Sequence, residues 1–115
     1  MGGRGFLEWI QGRAGHQVHP SNEQQVIIQT ISLVVSNRLG LHGRPSLKLA
    51  DVAGRFSSEI WAEKDREKYD CKSVMAMMLL YAGPGSTVHL AAMGPDAQEA
   101  LAAIQDLFLR KFDEA

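Results

Sequence analysis

The stretch Leu39-Gly40-Leu41-His42-Gly43-Arg44-Pro45-Ser46 joins a run typical of a β-strand to a run typical of an α-helix. In the preceding run, Ile31, Leu33 and Val35 occupy alternate positions, which is the period of a strand buried on one face. The following run, residues 47–56, places apolar side chains three and four positions apart. The sequence therefore predicts a strand, a loop that carries a histidine, and a helix.

His42 comes directly before the predicted helix, whose first N–H groups lack intrahelical partners and favour anions together with the helix dipole. Pro45 suits the first helical turn, because an N–H there would have no partner. The Arg44 guanidinium adds a positive fork that matches phosphate. A neutral imidazole is a good nucleophile near pH 7. On these residues alone two interpretations stay open: an ordinary surface histidine at a helix end, and the acceptor of a transient phosphoryl group.

Composition excludes several classes of protein. A chain of 115 residues with 45% hydrophobic and 22% charged residues is typical of one soluble globular domain. The net charge of −1 gives no drive toward nucleic acid or an anionic membrane, and no apolar run approaches the roughly 20 residues that span a bilayer. The single cysteine is compatible with a reducing cytoplasm. Metal-ligand clusters and glycine-rich nucleotide loops are missing from the sequence, so we expect no bound metal or cofactor.

The rest of the folded part predicts three more strands and two more helices. Alternating apolar residues indicate strands over 59–63, 69–71 and 87–92. Helices are predicted after Ser73, a natural N-cap, and from Pro95, which suits the first helical position. The order strand–helix–strand–strand–helix–strand–helix is a split β-α-β arrangement, and one sheet with three helices on a single face is the economical way to bury these apolar stripes.

The helix that follows Ser73 has too many apolar residues for one buried stripe. Three of them fall at i, i+3 and i+4 and are predicted to face the core: Met77, Leu80 and Tyr81. Three others lie on a different side of the helix: Val74, Met75 and Met78. Methionine stripes are common in cores, but because the first set already provides a core face, we favour an exposed, adaptable patch for the second.

Residues 1–25 differ from the rest of the chain. Their glycines and weak periodicity predict a flexible extension with at most a short helical turn at 6–10, so the folded domain is expected to span 26–115. A role of Phe6 and Trp9 in binding a partner, or a misassigned start codon, are the alternatives. His16 and His19 have no further ligands nearby, and we predict no metal site there.

Three motifs in the right order resemble the HPr family, the histidine phosphocarriers of the bacterial phosphotransferase system. Residues 41–45 are similar to the family motif Leu-His-Ala-Arg-Pro, with Gly43 in place of the alanine. Residues 72–75 are similar to the Lys-Ser-Ile-Met that opens the second helix of HPr proteins, and 82–86 resemble the small-residue turn before their last strand. The resemblance covers residues 27–115, and the end of the chain is most similar to NPr, the nitrogen-related branch.

The resemblance implies an α+β open-faced β-sandwich, a four-stranded antiparallel sheet with three helices on one face in the order βαββαβα. It implies that His42 accepts a phosphoryl group on Nδ1 from phospho-Enzyme I and passes it to an Enzyme IIA-type protein. Arg44 and nearby backbone amides would hold the phosphate, and the patch of Val74, Met75 and Met78 would dock the partners. Such a carrier binds no cofactor, is not a stand-alone enzyme, and is expected to be a cytoplasmic monomer.

Ser73 has two interpretations, a helix N-cap and a regulatory phosphorylation site. The resemblance to Gram-positive HPr suggests an ATP-dependent serine kinase, or a kinase/phosphorylase, as a partner. The NPr-like ending weakens this role, because that branch commonly keeps the serine without the kinase. A rival function from another class is a regulatory binding module of the same fold that carries no phosphate. Sugar uptake and nitrogen-related regulation both stay open as pathways.

Overall fold

The structure is a computed structural model, and it describes residues 2–15 and 27–114. Along the chain its elements are α1 (Gly2–Gly15), β1 (Ile28–Val34), α2 (Arg44–Ala53), β2 (Glu59–Lys64), β3 (Glu67–Asp70), α3 (Val74–Leu80), β4 (Thr87–Met93), α4 (Ala97–Leu109) and a 3₁₀ turn (Lys111–Asp113). From β1 to α4 this is the predicted order of strands and helices.

The four strands form one antiparallel sheet in the order β1-β4-β2-β3. In the centre of the sheet, Leu90 of β4 pairs with Ile31 of β1 on one side and with Ala62 of β2 on the other. Directly opposed residues point to the same face, so these three apolar side chains lie together. The predicted four-stranded antiparallel sheet is confirmed.

The main core lies between one face of this sheet and the helices α2, α3 and α4. Fully buried side chains come from every layer, including Leu49 of α2, Met77 of α3, Leu90 of β4 and Ile104 of α4. The largest contribution of a single helix comes from α4, whose buried residues repeat every three or four positions: Ala97, Ala100, Leu101, Ile104, Leu107 and Phe108.

The opposite face of the sheet carries α1, so residues 2–15 and 27–114 contain four α-helices and not the predicted three. Phe6, Ile10 and Ala14 recur every four residues and are buried against Ala91 and Met93 of β4. The predicted flexible extension over 1–25 is therefore wrong for residues 2–15. The remaining residues of that range, 16–25, lie outside the described residues.

The physical reason for this difference is the position of three glycines on the outer side of α1. Gly5, Gly12 and Gly15 are exposed, and a side chain added at any of them would meet nothing within 4 Å. Each glycine lowers helix propensity by about 1 kcal/mol, but it does so on the outer side of the helix and leaves the apolar stripe intact. Packing against the sheet therefore overrides a weak local preference.

Aromatic contacts complete the layer between α1 and the sheet. The rings of Trp9 and Trp61 meet edge to face with their centroids 5.0 Å apart. The Arg13 guanidinium lies 4.8 Å from the centroid of Trp61, and its Nε donates a hydrogen bond to Oε1 of Glu59 at 2.6 Å. These contacts join the C-terminal half of α1 to β2. None of the helices in the described part of the chain is long and apolar enough to cross a membrane.

Candidate functional site

His42 is exposed and lies one residue before Gly43, the N-cap of α2. Arg44 is the first residue of α2, and Pro45 lies in its first turn, as the sequence predicts. The first intrahelical hydrogen bond runs from the N–H of Leu47 to the carbonyl of Gly43 at 3.2 Å. The N–H groups before Leu47 have no intrahelical partners, so this end of the helix combines free donors with the positive end of the helix dipole. Such an end suits a phosphate group.

The backbone before His42 rests on the turn that follows α3. The N–H of Leu41 donates to the carbonyl of Ala82 at 2.7 Å, and the Leu41 side chain is buried. Gly40 has a φ of 77°, and a Cβ at this position would lie 2.6 Å from the Ala82 oxygen. Only glycine allows this approach without a shift of the backbone. The loop is thereby held at the two residues that precede His42.

Asn37, which was not among the predicted site residues, holds the start of the same loop. Its side chain is fully buried, and its Nδ2 donates to the carbonyl of Gly40 at 2.8 Å and to Oε1 of Glu114 at 3.4 Å. Lys48 of α2 secures the chain end by donating to the carbonyl of Phe112 at 2.8 Å. The last residues of the described chain therefore support the loop. An asparagine in a short loop was the available signal, since such residues often bond to nearby backbone.

The ring of Tyr81 contacts the ring of His42. The two centroids are 5.5 Å apart and the ring planes are inclined by 75°, an edge-to-face arrangement. The prediction that Tyr81 faces the core is wrong, because its side chain is 63% exposed. The helical spacing does not extend to this residue: α3 ends at Leu80, and Tyr81 has left-handed backbone angles.

Arg44 is exposed at the N-terminal end of α2, two residues after His42. Within the described part of the chain its guanidinium takes part in none of the ion pairs. A guanidinium without a competing carboxylate keeps all its donors available for an anion. Its predicted contact with phosphate stays a prediction.

The two faces of α3 are as the sequence predicts. Met77 and Leu80 are buried, whereas four apolar side chains of the other face are 43–70% exposed. We call these four residues the α3 patch: Val74, Met75, Met78 and Leu79. Leu79 was not among the residues predicted for this face.

The C-terminal end of the helix that carries the α3 patch lies next to His42. A helix of seven residues is only about 10 Å long, and the C-terminal end of α3 reaches His42 through Tyr81. The two helices are also joined where the hydroxyl of Ser46 in α2 donates to the carbonyl of Met77 at 3.2 Å. A partner that covers His42 can therefore contact the patch as well.

Ser73 is the N-cap of α3. Its Oγ accepts a hydrogen bond from the N–H of Ala76 at 3.1 Å, which confirms the predicted structural role. The phosphorylation of Ser73 stays a prediction.

Other reactive side chains are placed elsewhere. Cys71 is buried, and desolvation together with the nearby negative charge of Asp70 raises the pKa of its thiol, so it stays protonated and is a poor nucleophile. His89 lies in the sheet, where its Nδ1 is 2.7 Å from Oγ of Ser32. Residues 2–15 and 27–114 contain no cluster of three His, Cys, Asp or Glu side chains able to hold a metal ion. The His16 and His19 pair lies outside the described residues.

Comparison with known proteins extends these observations. A family model for the PTS HPr component phosphorylation site matches residues 29–109. The chain is 45% identical over 80 residues to the phosphocarrier protein HPr of Cupriavidus necator, a match that covers 70% of this chain and 90% of the relative. It is 41% identical over 83 residues to the phosphocarrier protein NPr of Shewanella violacea, covering 72% of this chain and 91% of the relative.

A solved structure gives the same result. The crystal structure of HPr from Thermoanaerobacter tengcongensis is similar with a TM-score of 0.73 and 40% sequence identity, and the match covers 76% of this chain and 98% of that protein. The family model begins at residue 29, so α1 lies before it. The matched region contains the sheet, the helices α2 to α4 and the His42 loop, and the chain therefore belongs to the HPr family of the phosphotransferase system.

Proposed function

We propose that this protein carries a phosphoryl group on His42 from phospho-Enzyme I to an Enzyme IIA-type protein. As a member of the HPr family it is a phosphocarrier of the phosphotransferase system and not a stand-alone enzyme. The observation that supports His42 as the acceptor is its exposed imidazole at the open N-terminal end of α2, beside Arg44. The family match includes this residue.

The chemistry consists of two phosphoryl transfers. In the first, an imidazole nitrogen of His42, Nδ1 by family resemblance, attacks the phosphorus of phospho-Enzyme I. A P–N bond to His42 forms while the bond from phosphorus to Enzyme I breaks. In the second, a nucleophile of the IIA-type protein attacks the same phosphorus, and the imidazole leaves. The carrier is returned unchanged.

Arg44 and the free N–H groups of the first turn of α2 stabilise the phosphoryl group between the two transfers. Both are hydrogen-bond donors, and the phosphoryl oxygens accept. Arg44 is exposed, so water competes for these bonds and weakens them. A carrier needs this balance, because donors that bound the group too tightly would slow its release.

The α3 patch serves in this proposal as the docking surface for both partners. Its exposed methionines are flexible and polarisable, and such side chains adapt to more than one partner surface. An exposed apolar patch beside a reactive group is typical of a transient interface. The carrier acts as a monomer in the cytoplasm. A serine kinase that acts on Ser73 is a further predicted partner.

The decisive experiment is phosphorylation by Enzyme I, Mg²⁺ and phosphoenolpyruvate, followed by intact-mass measurement. The wild-type protein should gain one acid-labile phosphoryl group, and His42→Ala should fold normally and gain none. His89→Ala is the matched control, because it removes a histidine of the sheet and should leave labelling intact. Undiminished labelling of His42→Ala would place the acceptor elsewhere. A wild-type protein that stays unlabelled beside phosphorylated Enzyme I would favour the regulatory binding module.

A further inference from the structure

Tyr81 has a backbone conformation that a side chain disfavours. It follows α3 directly with φ 41° and ψ 60°, in the left-handed region. Helices often end with a residue in this conformation, and that residue is usually glycine, which has no Cβ to clash. A tyrosine at this place therefore calls for a compensating contact.

Burial does not provide that compensation, because the Tyr81 side chain is 63% exposed. Its aromatic contact within the described residues is with His42, at a centroid separation of 5.5 Å. The left-handed turn directs the ring away from the buried stripe of α3 and toward the loop. The unfavourable conformation thus brings an aromatic ring to the reactive histidine.

Two consecutive residues, Tyr81 and Ala82, contact the loop that carries His42. The carbonyl of Ala82 accepts the N–H of Leu41, which fixes the backbone next to His42. Tyr81 contacts the imidazole itself. With the backbone fixed, the main remaining freedom of His42 is rotation of its side chain, and Tyr81 lies where it limits that rotation.

We infer that Tyr81 is a positioning residue, whose ring holds the His42 imidazole in the orientation that exchanges the phosphoryl group. The inference rests on the proposed function. An exposed histidine samples several rotamers on a nanosecond scale, and transfer requires one of them to be aligned with the attacked phosphorus. An edge-to-face ring pair favours one orientation before the partner arrives.

The test compares Tyr81→Ala with Tyr81→Phe, which keeps the ring. Single-turnover transfer from phospho-Enzyme I at a range of carrier concentrations separates affinity from the maximal transfer rate. We expect Tyr81→Ala to lower the maximal rate about threefold or more, as loss of one aromatic contact predicts, and Tyr81→Phe to restore it. Leu109→Ala, which removes an apolar side chain of α4 that is 74% exposed, is the control and should have no effect.

NMR of the His42 ring protons gives a readout that a docking role would not change. Tyr81→Ala should shift these resonances, because the ring current of Tyr81 is lost, and Tyr81→Phe should largely keep them. Should Tyr81→Ala fail to fold, Tyr81→Gly replaces it, since glycine suits a φ of 41°.

Two results would overturn the inference. A change in affinity alone, with an unchanged maximal rate, would make Tyr81 a docking residue, and wild-type kinetics with unchanged His42 resonances would give it no role. Failure of the proposed function looks different, because then either His42→Ala would still be labelled or the wild-type protein would not be labelled at all.

Discussion

His42 is flanked by two glycines that have positive φ for different reasons. Gly40 permits the close approach of the loop to Ala82. Gly43, the N-cap of α2, has φ 62° and ψ −116°, and an added Cβ would meet nothing within 4 Å. An alanine at position 43 would be strained by its backbone angles alone. Glycine in place of the family alanine therefore suits the backbone angles at position 43, although a side chain there would have enough space.

We expect Gly40→Ala to lower the free energy of unfolding by roughly 2 kcal/mol or more, because it combines a left-handed backbone with a Cβ 2.6 Å from the Ala82 oxygen. Gly85→Ala is the matched control: its φ is 84°, but it has open space, so a loss of about 1 kcal/mol is expected. Urea unfolding measures both. Equal losses would show that the loop moves aside from Ala82 at little cost. Phosphorylation of His42 should also slow in Gly40→Ala alone.

At the scale of single elements, helical spacing predicts the burial of residues within α3 correctly but fails for the residue that follows it. The spacing placed Met77 and Leu80 in the core and Met75 on the surface, because all three lie within the regular helix. It failed at Tyr81, where the backbone leaves the helix. The local sequence does not predict the left-handed backbone of Tyr81, because tyrosine is uncommon in that conformation.

Met75→Glu and Met77→Glu test the two faces of α3. Met75 is 70% exposed and Met77 is 1% exposed. Met75→Glu should leave the free energy of unfolding within about 0.5 kcal/mol of wild type and slow transfer from Enzyme I, because it places a charge in an apolar interface. Met77→Glu should cost several kcal/mol, because it buries a carboxylate without a partner. Urea unfolding and the transfer assay separate the two effects.

The two variants control for each other, because each replaces a methionine of α3 by glutamate. If both variants fold equally well and accept phosphate at the wild-type rate, the α3 patch is not the docking surface.

For α1 the error has the opposite direction: a helix is present where a flexible segment was predicted. The four-residue spacing of Phe6, Ile10 and Ala14 was present in the sequence, but the glycines at positions 2, 3, 5, 12 and 15 favoured a flexible segment. The helix is stabilised by residues distant in the chain, because it packs on Ala91 and Met93 of the outer face of β4. Strand β4 and the loop of His42 could be predicted from local periods and motifs. Contacts such as Asn37 with Glu114 could not, because they join residues far apart in sequence.

For the whole molecule, α1 turns an open-faced sandwich into a sheet with helices on both faces. His42 and the α3 patch belong to the layer of α2 to α4, and α1 lies on the other side of the sheet. The family model begins after α1, so the relatives' shared fold does not require it. Changes in α1 should therefore alter the stability of the protein and leave phosphoryl transfer unchanged.

Deletion of residues 1–24 tests this separation. The glycine content alone predicts a change of only a few degrees in the thermal midpoint. The packing of Phe6 and Ile10 against the sheet predicts more: a loss of about 2 kcal/mol, after the entropy of ordering the helix is subtracted, which lowers the midpoint by roughly 10 °C. Phosphorylation of His42, measured below the new midpoint, should stay at the wild-type rate.

Two substitutions in the full chain make this prediction specific to packing. Ile10 is completely buried, so Ile10→Ala should lower the thermal midpoint clearly, whereas Leu7→Ala removes a side chain that is 41% exposed and should change it little. Equal midpoints for the deletion and the wild type would show that ordering α1 costs as much as its packing contributes. A lower transfer rate in Ile10→Ala would contradict the separation itself, because it would mean that the sheet transmits changes on its outer face to His42.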